Sequence, residues 1–313
     1  MTSLLVLGEP NSGKTVLGAQ LYGRARYTDG ILSLRQQAQD IQVLDHAYVS
    51  LQRGMLPSRT SKETFGTVEL PLRHRDTGQD VDLIWPDYGG EKFTAILESR
   101  QLDPAWEERT TQARGLILLI RPHATHVPND VLTQPRAREA GSSGYSEDTP
   151  PVDQDLAVDS QYVELLQLLT HAKGLYRDQR FKWPLTIALT CWDEVADQGL
   201  NPDAQLRKSL PLLWQYLRGA WASTALHIVG VSALARPLKN QEGHPLDGLP
   251  HDQPLHAPDA TPDEARKAML AASDKAFRDG TPQTQGYLIR QNGQKDQDLT
   301  ILIADLLSEP NVP

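Results

Sequence analysis

The stretch that decides the fold is GEPNSGKT, residues 8–15, which follows an apolar run at residues 4–7. It fits the pattern G-x-x-x-x-G-K-[ST], whose fixed positions here are Gly8, Gly13, Lys14 and Thr15. The apolar run predicts a buried strand over residues 3–8, and the residues after the loop predict a helix from 13 to 22. In that context the loop N–H groups and the positive end of the helix dipole bind the phosphates of a nucleotide. We expect Lys14 to reach the β- and γ-phosphates and the Thr15 hydroxyl to bind Mg²⁺.

Composition narrows the classes of protein that the chain can be. Its 313 residues are 39 % hydrophobic, which is enough for a packed core. The net charge of −9 makes nucleic acid an unexpected partner, because a domain that tracks a phosphate backbone carries a basic face. The one cysteine, Cys191, cannot form an internal disulfide, and with no signal-peptide pattern this predicts a cytoplasmic protein. No apolar run approaches the roughly 20 residues of a membrane span.

Strands and helices alternate along the rest of the chain. The predicted strands are residues 67–73, 81–86, 115–121, 185–191, 226–231 and a short 286–290. The predicted helices are residues 33–53, 158–178, 201–220, 261–277 and 296–307. This order predicts an α/β fold: a mostly parallel sheet with helices on both faces and one antiparallel hairpin from 67 to 86. We predict a single domain over 1–313, with insertions at about 30–58, 122–156 and 236–285.

A second polar motif, DYGGE at residues 87–91, follows the second strand of the predicted hairpin. An aspartate at the tip of a strand beside a phosphate-binding loop can hold Mg²⁺, which gives that role to Asp87. Gly90, three residues later, allows a backbone N–H group to reach the γ-phosphate. The alternative interpretation is an Asp-Gly turn that ends a strand.

Two further motifs end the strands predicted at 185–191 and 226–231. In TCWD, residues 190–193, the Asp193 carboxylate can accept two hydrogen bonds from guanine, from its ring N–H and its exocyclic amine. Adenine offers no such pair, so the carboxylate would select guanine. In SAL, residues 232–234, the backbone N–H groups of Ser232 and Ala233 could meet the carbonyl of the base.

GEPNSGKT, DYGGE, TCWD and SAL, in that order and each at a strand end, resemble the motifs of P-loop GTPases of the translation-factor and Ras/Arf-like class. The span from Thr60 to Asp87 also resembles the switch region of Arf-like proteins. The resemblance covers most of the chain outside the two Pro-rich insertions and implies a Ras-like P-loop fold with a six-stranded sheet. The insertions and the tail GYLIRQNGQKDQDLTILIADLL are similar to those of bacterial conflict-system GTPases of the double-GTPase-like kind. This similarity implies an effector or second subunit that reads the nucleotide state.

The resemblance implies roles for individual residues. The implied nucleotide-binding residues are Gly8, Asn11, Ser12, Gly13, Lys14, Thr15, Gly90, Thr190, Asp193, Ser232 and Ala233. The implied Mg²⁺ ligands are Thr15, Thr60 and Asp87, with Thr64 as the alternative switch threonine. The implied catalytic residues are Lys14, Thr60 and Glu91, the last where many relatives carry a water-orienting glutamine. The chain departs from the family at Cys191, which replaces the lysine whose stem covers the base.

The expected function is a Mg²⁺-dependent GTPase switch that alternates between GTP and GDP and signals to a partner protein. Two alternatives remain open at this point. One is a nucleotide-bound scaffold that hydrolyses little or no GTP, which Pro10, Glu91 and Cys191 favour. The other is a P-loop ATPase or small-molecule kinase, which would be indifferent to replacement of Asp193.

Overall fold

The computed structural model describes residues 2–27, 30–36, 44, 47–48, 50–51, 67–85, 91–122, 158–176, 179–234 and 286–308. Its strands are β1 (Thr2–Gly8), β2 (Leu32–Leu34), β3 (Val68–His74), β4 (Asp80–Trp85), β5 (Gly115–Ile120), β6 (Leu185–Thr190), β7 (Leu226–Ser232), β8 (Tyr287–Ile289) and β9 (Lys295–Asp296). Its α-helices are α1 (Lys14–Tyr27), α2 (Glu91–Ser99), α3 (Pro104–Gln112), α4 (Val158–Ala172), α5 (Pro202–Ser209), α6 (Pro211–Ala220) and α7 (Ile301–Ser308).

The strands form one mixed sheet in the order β2-β3-β4-β1-β5-β6-β7-β8-β9. The central strands β4, β1, β5, β6 and β7 are parallel to one another. The outer pairs β2–β3, β3–β4, β7–β8 and β8–β9 are antiparallel. The α/β class, the mostly parallel centre and the antiparallel β3–β4 hairpin are therefore confirmed. The six-stranded expectation was too small, because the described residues contain nine strands. The short strands β2, β8 and β9 extend the two edges.

Apolar side chains alternate across the sheet and fill a core on each face. Leu4 and Val6 of β1 pack on the side of α1 and α7, while Leu5 and Leu7 pack on the side of α3 to α6. This alternation follows from the two-residue period of a strand, which sends successive side chains to opposite faces. Because both faces of the sheet are apolar, helices cover both faces, as predicted.

The helix predicted over residues 33–53 is wrong at its start, because residues 32–34 form β2. Leu32 and Leu34 pair with His74 and Leu72 at the edge of β3. That edge offers backbone N–H and C=O groups, so a short segment beside it gains more from pairing than from one helical turn. Further along, residues 44, 47, 48, 50 and 51 are helical, and Leu44, Tyr48 and Leu51 are buried as predicted.

The helix predicted over residues 201–220 is two helices, α5 and α6. Asn201 caps α5 as expected, since its side chain accepts a hydrogen bond from the Ala204 N–H at 2.8 Å. The break lies at Leu210, whose backbone is not helical (φ −140°, ψ 71°), and Pro211 opens α6. A proline cannot donate the hydrogen bond that a continuous helix needs and clashes with the preceding turn.

Three other predicted helices differ at their ends or lie outside the described residues. The first helix runs five residues beyond the predicted end at residue 22, to Tyr27. The helix predicted at 158–178 ends at Ala172, before Gly174 in the left-handed region (φ 74°). The last helix begins at Ile301, because residues 295–296 form β9. The predicted helix 261–277 lies outside the described residues, as do nearly all of the insertions predicted at 122–156 and 236–285.

Candidate functional site

The phosphate-binding loop connects β1 to α1 in a strained conformation. Asn11 and Gly13 both have positive φ, 65° and 83°. Gly13 is the position where glycine is required, because a residue with a Cβ atom is disfavoured there. At the start of α1, the Leu17 N–H group donates a hydrogen bond to the Gly13 C=O at 2.9 Å. The N–H groups of the first turn therefore have no intrahelical acceptor, which makes this helix end suitable for an anion.

Lys14 holds its ammonium group against the loop. Its side chain is buried, with 5 % of the residue exposed, and Nζ donates to the C=O groups of Gly8 and Glu9, both at 2.7 Å. Thr15 follows on the first turn of α1 and is half-buried. The loop thus places one cation and a set of N–H donors at the end of the helix dipole, which is the donor set that a polyphosphate needs.

Gly8 and Ser12 close the base of the loop. A Cβ atom added to Gly8 would lie 2.5 Å from the Ser12 Oγ and 3.0 Å from the Leu119 Cβ, so the loop packs directly on β5. The Ser12 hydroxyl is buried and has no hydrogen-bond partner within the described part of the chain. The backbone N–H group of Ser12 donates a hydrogen bond to the Glu9 C=O at 3.1 Å.

Thr190 joins the TCWD motif to the phosphate-binding loop. It is the last residue of β6, and its Oγ1 lies 2.8 Å from the Ser12 C=O oxygen and 3.2 Å from that of Ile120. The resemblance implies that Thr190 binds the nucleotide. In the structure its buried hydroxyl donates to the backbone of the loop, so it positions residues that would bind the phosphates.

Asp193 lies just beyond β6 and is tied to the end of β7. The Ser232 hydroxyl donates to the Asp193 Oδ1 at 2.6 Å, and Ser232 is fully buried. Cys191, two residues before Asp193, has a left-handed backbone conformation (φ 50°), and residues 192–194 form one turn of 3₁₀-helix. This reversal turns the Asp193 side chain toward β7, where Ala233 follows Ser232. The three residues expected to read the base, Asp193, Ser232 and Ala233, therefore lie at the ends of adjacent strands.

The Trp192 side chain is part of the hydrophobic core. It is 2 % exposed and packs on Gly230 of β7, where an added Cβ atom would lie 2.4 Å from its Cδ2. Only a glycine at 230 admits the indole at this distance. Burial raises the pKa of the neighbouring Cys191 thiol to about 11, although the charge of Arg121 acts in the opposite direction.

An ion pair that sequence reasoning missed lies at the same edge of the sheet. The Arg121 guanidinium, directly after β5, binds the Glu194 carboxylate through two nitrogens, Nε at 2.9 Å and Nη2. The hydrogen bond that Arg121 donates to Glu194 is the main cause that raises the pKa of Arg121, with smaller contributions from the charges of Cys191, Glu194 and Asp193. The sequence shows Arg121 directly after an apolar strand. This position alone does not identify Glu194, 73 residues away, as its partner.

Several of the expected site residues lie outside the described part of the chain. These are Thr60 with its alternative Thr64, Asp87 and Gly90; Glu91 is described only as the first residue of α2. The Mg²⁺ site therefore stays a prediction. Among the described residues no three His, Cys, Asp or Glu side chains form a group that could hold a metal ion.

Comparisons with known proteins identify a family. A family model described as Double-GTPase 1 matches residues 5–306. No curated protein sequence matches the chain. Among solved structures, a bacterial selenocysteine-specific elongation factor, EF-Sec, is similar at 15 % identity and a TM-score of 0.34, covering 74 % of this chain and 26 % of that one. The chain thus spans about a quarter of the elongation factor. The signal recognition particle receptor SRb–GTP/SRX complex from Chaetomium thermophilum is similar at 14 % identity and a TM-score of 0.36, covering 74 % and 90 %.

The described helices also bear on the membrane question. Among them, none is long and apolar enough to cross a bilayer.

Proposed function

The chain belongs to the Double-GTPase 1 family, and we propose that it is a Mg²⁺-dependent switch that binds and hydrolyses GTP and signals its nucleotide state to a partner protein. The observation that carries the proposal is the link between the two halves of the site. Thr190 fixes the loop backbone at Ser12, and three residues later Asp193 is oriented by Ser232. A nucleotide whose phosphates lie in the loop would therefore present its base to a carboxylate that is already oriented.

Guanine specificity follows from the chemistry of that carboxylate. Each oxygen of ionised Asp193 is an acceptor, and guanine presents two donors side by side. Adenine places an acceptor nitrogen at the corresponding position, so its binding would leave the carboxylate desolvated without a full set of partners. The Ser232 hydroxyl already occupies one lone pair of Oδ1 and holds the group in place.

Hydrolysis would proceed by in-line attack of water on the γ-phosphate. Lys14 and the N–H groups of the loop stabilise the charge that develops on the phosphate oxygens. When bound, Mg²⁺ would supply further positive charge to neutralise the phosphates. Thr15 would hold the ion, together with Thr60 and Asp87. Glu91 would orient the water.

The proposal also includes a partner protein, a cellular location and a biological role. Residues near 56–66 and 88–100 would become ordered with GTP and be released after hydrolysis, which is how such proteins change their affinity for an effector. The single cysteine supports a cytoplasmic location. The similarity of the tail to conflict-system GTPases supports a role in bacterial defence. A second candidate, a scaffold with little hydrolysis, is favoured by the carboxylate of Glu91, which would repel the γ-phosphate.

The experiment compares GTP and ATP binding and turnover by the purified chain with Mg²⁺. We expect Lys14→Ala to abolish nucleotide binding, and Asp193→Asn to weaken GTP binding by about 100-fold, because charge-assisted hydrogen bonds are lost. Asp197→Asn is the matched control: it lies four residues along the same segment and is exposed. Equal use of ATP, with no effect of Asp193→Asn, would contradict the GTPase proposal. GTP binding without turnover would favour the scaffold.

A further inference from the structure

The carboxylate that would read the base lies on a very short turn. Residues 192–194 form a single turn of 3₁₀-helix, in which the Glu194 N–H donates a hydrogen bond to the Cys191 C=O at 2.9 Å. Such a turn has poor hydrogen-bond geometry and little stability of its own. The orientation of Asp193 within the turn therefore depends on the side-chain contacts around it.

The two neighbouring acids of this turn have different partners. The Asp193 Oδ1 accepts a hydrogen bond from the Ser232 hydroxyl at 2.6 Å. The Glu194 carboxylate accepts two from the Arg121 guanidinium, one from Nε to Oε2 at 2.9 Å and one from Nη2 to Oε1. A bidentate pair of this kind fixes the relative orientation of both groups. The turn is thus tied to β7 and to the end of β5, the two strands that flank β6 in the sheet.

The backbone at the end of β5 is a fixed base for Arg121. Ile120, the last residue of β5, pairs with Leu189 of β6, and its C=O accepts a hydrogen bond from the Thr190 Oγ1 at 3.2 Å. Pro122 follows Arg121 and restricts its backbone to extended conformations. Because the backbone on both sides of Arg121 is constrained, the guanidinium can transmit a definite position to Glu194.

Stability of the fold does not by itself account for this ion pair. The Arg121 and Glu194 side chains are 34 % and 24 % exposed, and exposed ion pairs contribute little to the free energy of unfolding. The pair between Arg218 of α6 and Asp203 of α5 is similarly exposed, at 37 % and 27 %. That second pair joins two helices, whereas Arg121 and Glu194 join two strand ends at the edge of the sheet that carries Asp193.

We propose that Arg121 is a positioning residue for guanine recognition, which holds the Glu194 end of the turn so that the neighbouring Asp193 carboxylate faces both donors of the base. This proposal rests on the proposed function of Asp193. It extends the base-reading site to β5, a strand that carries none of the four motifs. The charge of Arg121 also acts on Asp193 and therefore lies near the carboxylate that it positions.

The test compares the affinities of the full chain for GTP and inosine triphosphate (ITP), measured with Mg²⁺ by titration calorimetry. ITP lacks the exocyclic amine of guanine, so it can make only one of the two hydrogen bonds to Asp193. The ratio of GTP to ITP affinity therefore reports the orientation of the carboxylate. In the unmodified chain we expect a ratio of about ten or more, the scale of one hydrogen bond to a charged group.

Arg121→Met keeps an unbranched stem and removes the hydrogen-bond donors. We expect it to weaken GTP binding by about tenfold and ITP binding by about threefold or less, so that the ratio falls at least about threefold. Arg121→Lys keeps the charge but loses the planar fork, and it should lower the ratio as well. A merely structural role, or a general attraction of the triphosphate, would change both affinities alike.

Variants of the partner and of the second ion pair complete the design. Glu194→Gln should also lower the ratio. The double variant with Arg121→Met should bind GTP no more weakly than Arg121→Met alone, because the two residues share one interaction. Arg218→Met is the matched control, and we expect it to leave both affinities unchanged.

Several results would overturn the positioning role. These are equal losses of GTP and ITP affinity in Arg121→Met, full retention of the ratio by Arg121→Lys, and additive losses in the double variant. Should Arg121→Met fail to fold, Glu194→Gln decides, since an unchanged ratio in that variant would count against the role. Urea unfolding without nucleotide should give similar small losses for Arg121→Met and Arg218→Met, and a much larger loss for Arg121→Met would assign Arg121 to the stability of the fold instead.

The outcomes also separate this proposal from the proposed function. If the unmodified chain binds neither nucleotide, or binds GTP and ITP equally, the proposed recognition of guanine by Asp193 fails and the role of Arg121 fails with it. If the unmodified chain prefers GTP and Arg121→Met retains the same preference, only the positioning role fails.

Discussion

Replacement of Thr190 by valine tests the link between the base-reading strand and the phosphate-binding loop. The variant keeps the shape of the side chain and removes the hydroxyl that lies 2.8 Å from the Ser12 C=O and 3.2 Å from the Ile120 C=O. Thr190 is 3 % exposed, so water cannot easily replace the lost donor. One hydrogen bond contributes about 1 kcal/mol, and a buried carbonyl left without its partner raises the expected loss to about 1–2 kcal/mol.

The assay is urea unfolding followed by tryptophan fluorescence, combined with titration of GTP. Thr170→Val is the matched control, because Thr170 is 4 % exposed and its hydroxyl donates to the Leu166 C=O at 2.8 Å within α4. We expect Thr190→Val to lose about 1–2 kcal/mol of the free energy of unfolding and to bind GTP about three- to tenfold more weakly. We expect Thr170→Val to leave GTP affinity unchanged.

Two results would refute this reasoning in different ways. If Thr190→Val and Thr170→Val are alike in both stability and GTP affinity, the hydroxyl does not link the strand to the loop. If GTP affinity falls while the free energy of unfolding stays at the wild-type value, Thr190 contacts the nucleotide directly, as the family resemblance implies.

Two further predictions concern the neighbours of Asp193. Gly230→Ala should lower the free energy of unfolding by about 1–3 kcal/mol in urea titrations, because the new Cβ atom would lie 2.4 Å from Trp192 Cδ2. Gly219→Ala, with no atom within 4 Å of its added Cβ, should be neutral or stabilising, and equal effects of the two would contradict the steric argument. Since burial raises the pKa of Cys191 from about 9 to about 11, its thiolate fraction at pH 8 is about 100-fold lower than that of an ordinary thiol. Alkylation by iodoacetamide should therefore accelerate about tenfold per pH unit up to about pH 11, and a plateau near pH 9 would contradict the shift.

Much of the fold was predictable because its signals are local. The pattern at residues 8–15 contains its own glycines, lysine and preceding strand, so β1, the loop and α1 could be predicted from neighbouring residues alone. The apolar runs of β5, β6 and β7 are of the same kind. The break at Pro211 was also readable, because a proline inside a helical pattern ends the helix, and the prediction of one helix over 201–220 overlooked that rule.

The edges of the sheet were not predictable in the same way. Leu34 fits a helical stripe with Leu44, Tyr48 and Leu51, and no local signal opposes it. Only the presence of β3 beside residues 32–34 makes a strand the better arrangement. β8 lies within the strand predicted at 286–290, whereas β9 depends on the free edge of β8, since a segment of two residues has little preference of its own.

For the site, the sequence by itself determined the residue types and their order: a phosphate-binding loop, then an aspartate after β6 and a serine after β7. The tertiary structure decided which of these groups touch. The Thr190–Ser12 hydrogen bond spans 178 residues, and the Arg121–Glu194 ion pair spans 73. Such contacts depend on the order and packing of whole strands and helices. A pattern of neighbouring residues contains no information about them, because the energy that forms them comes from burying the sheet and its helices together.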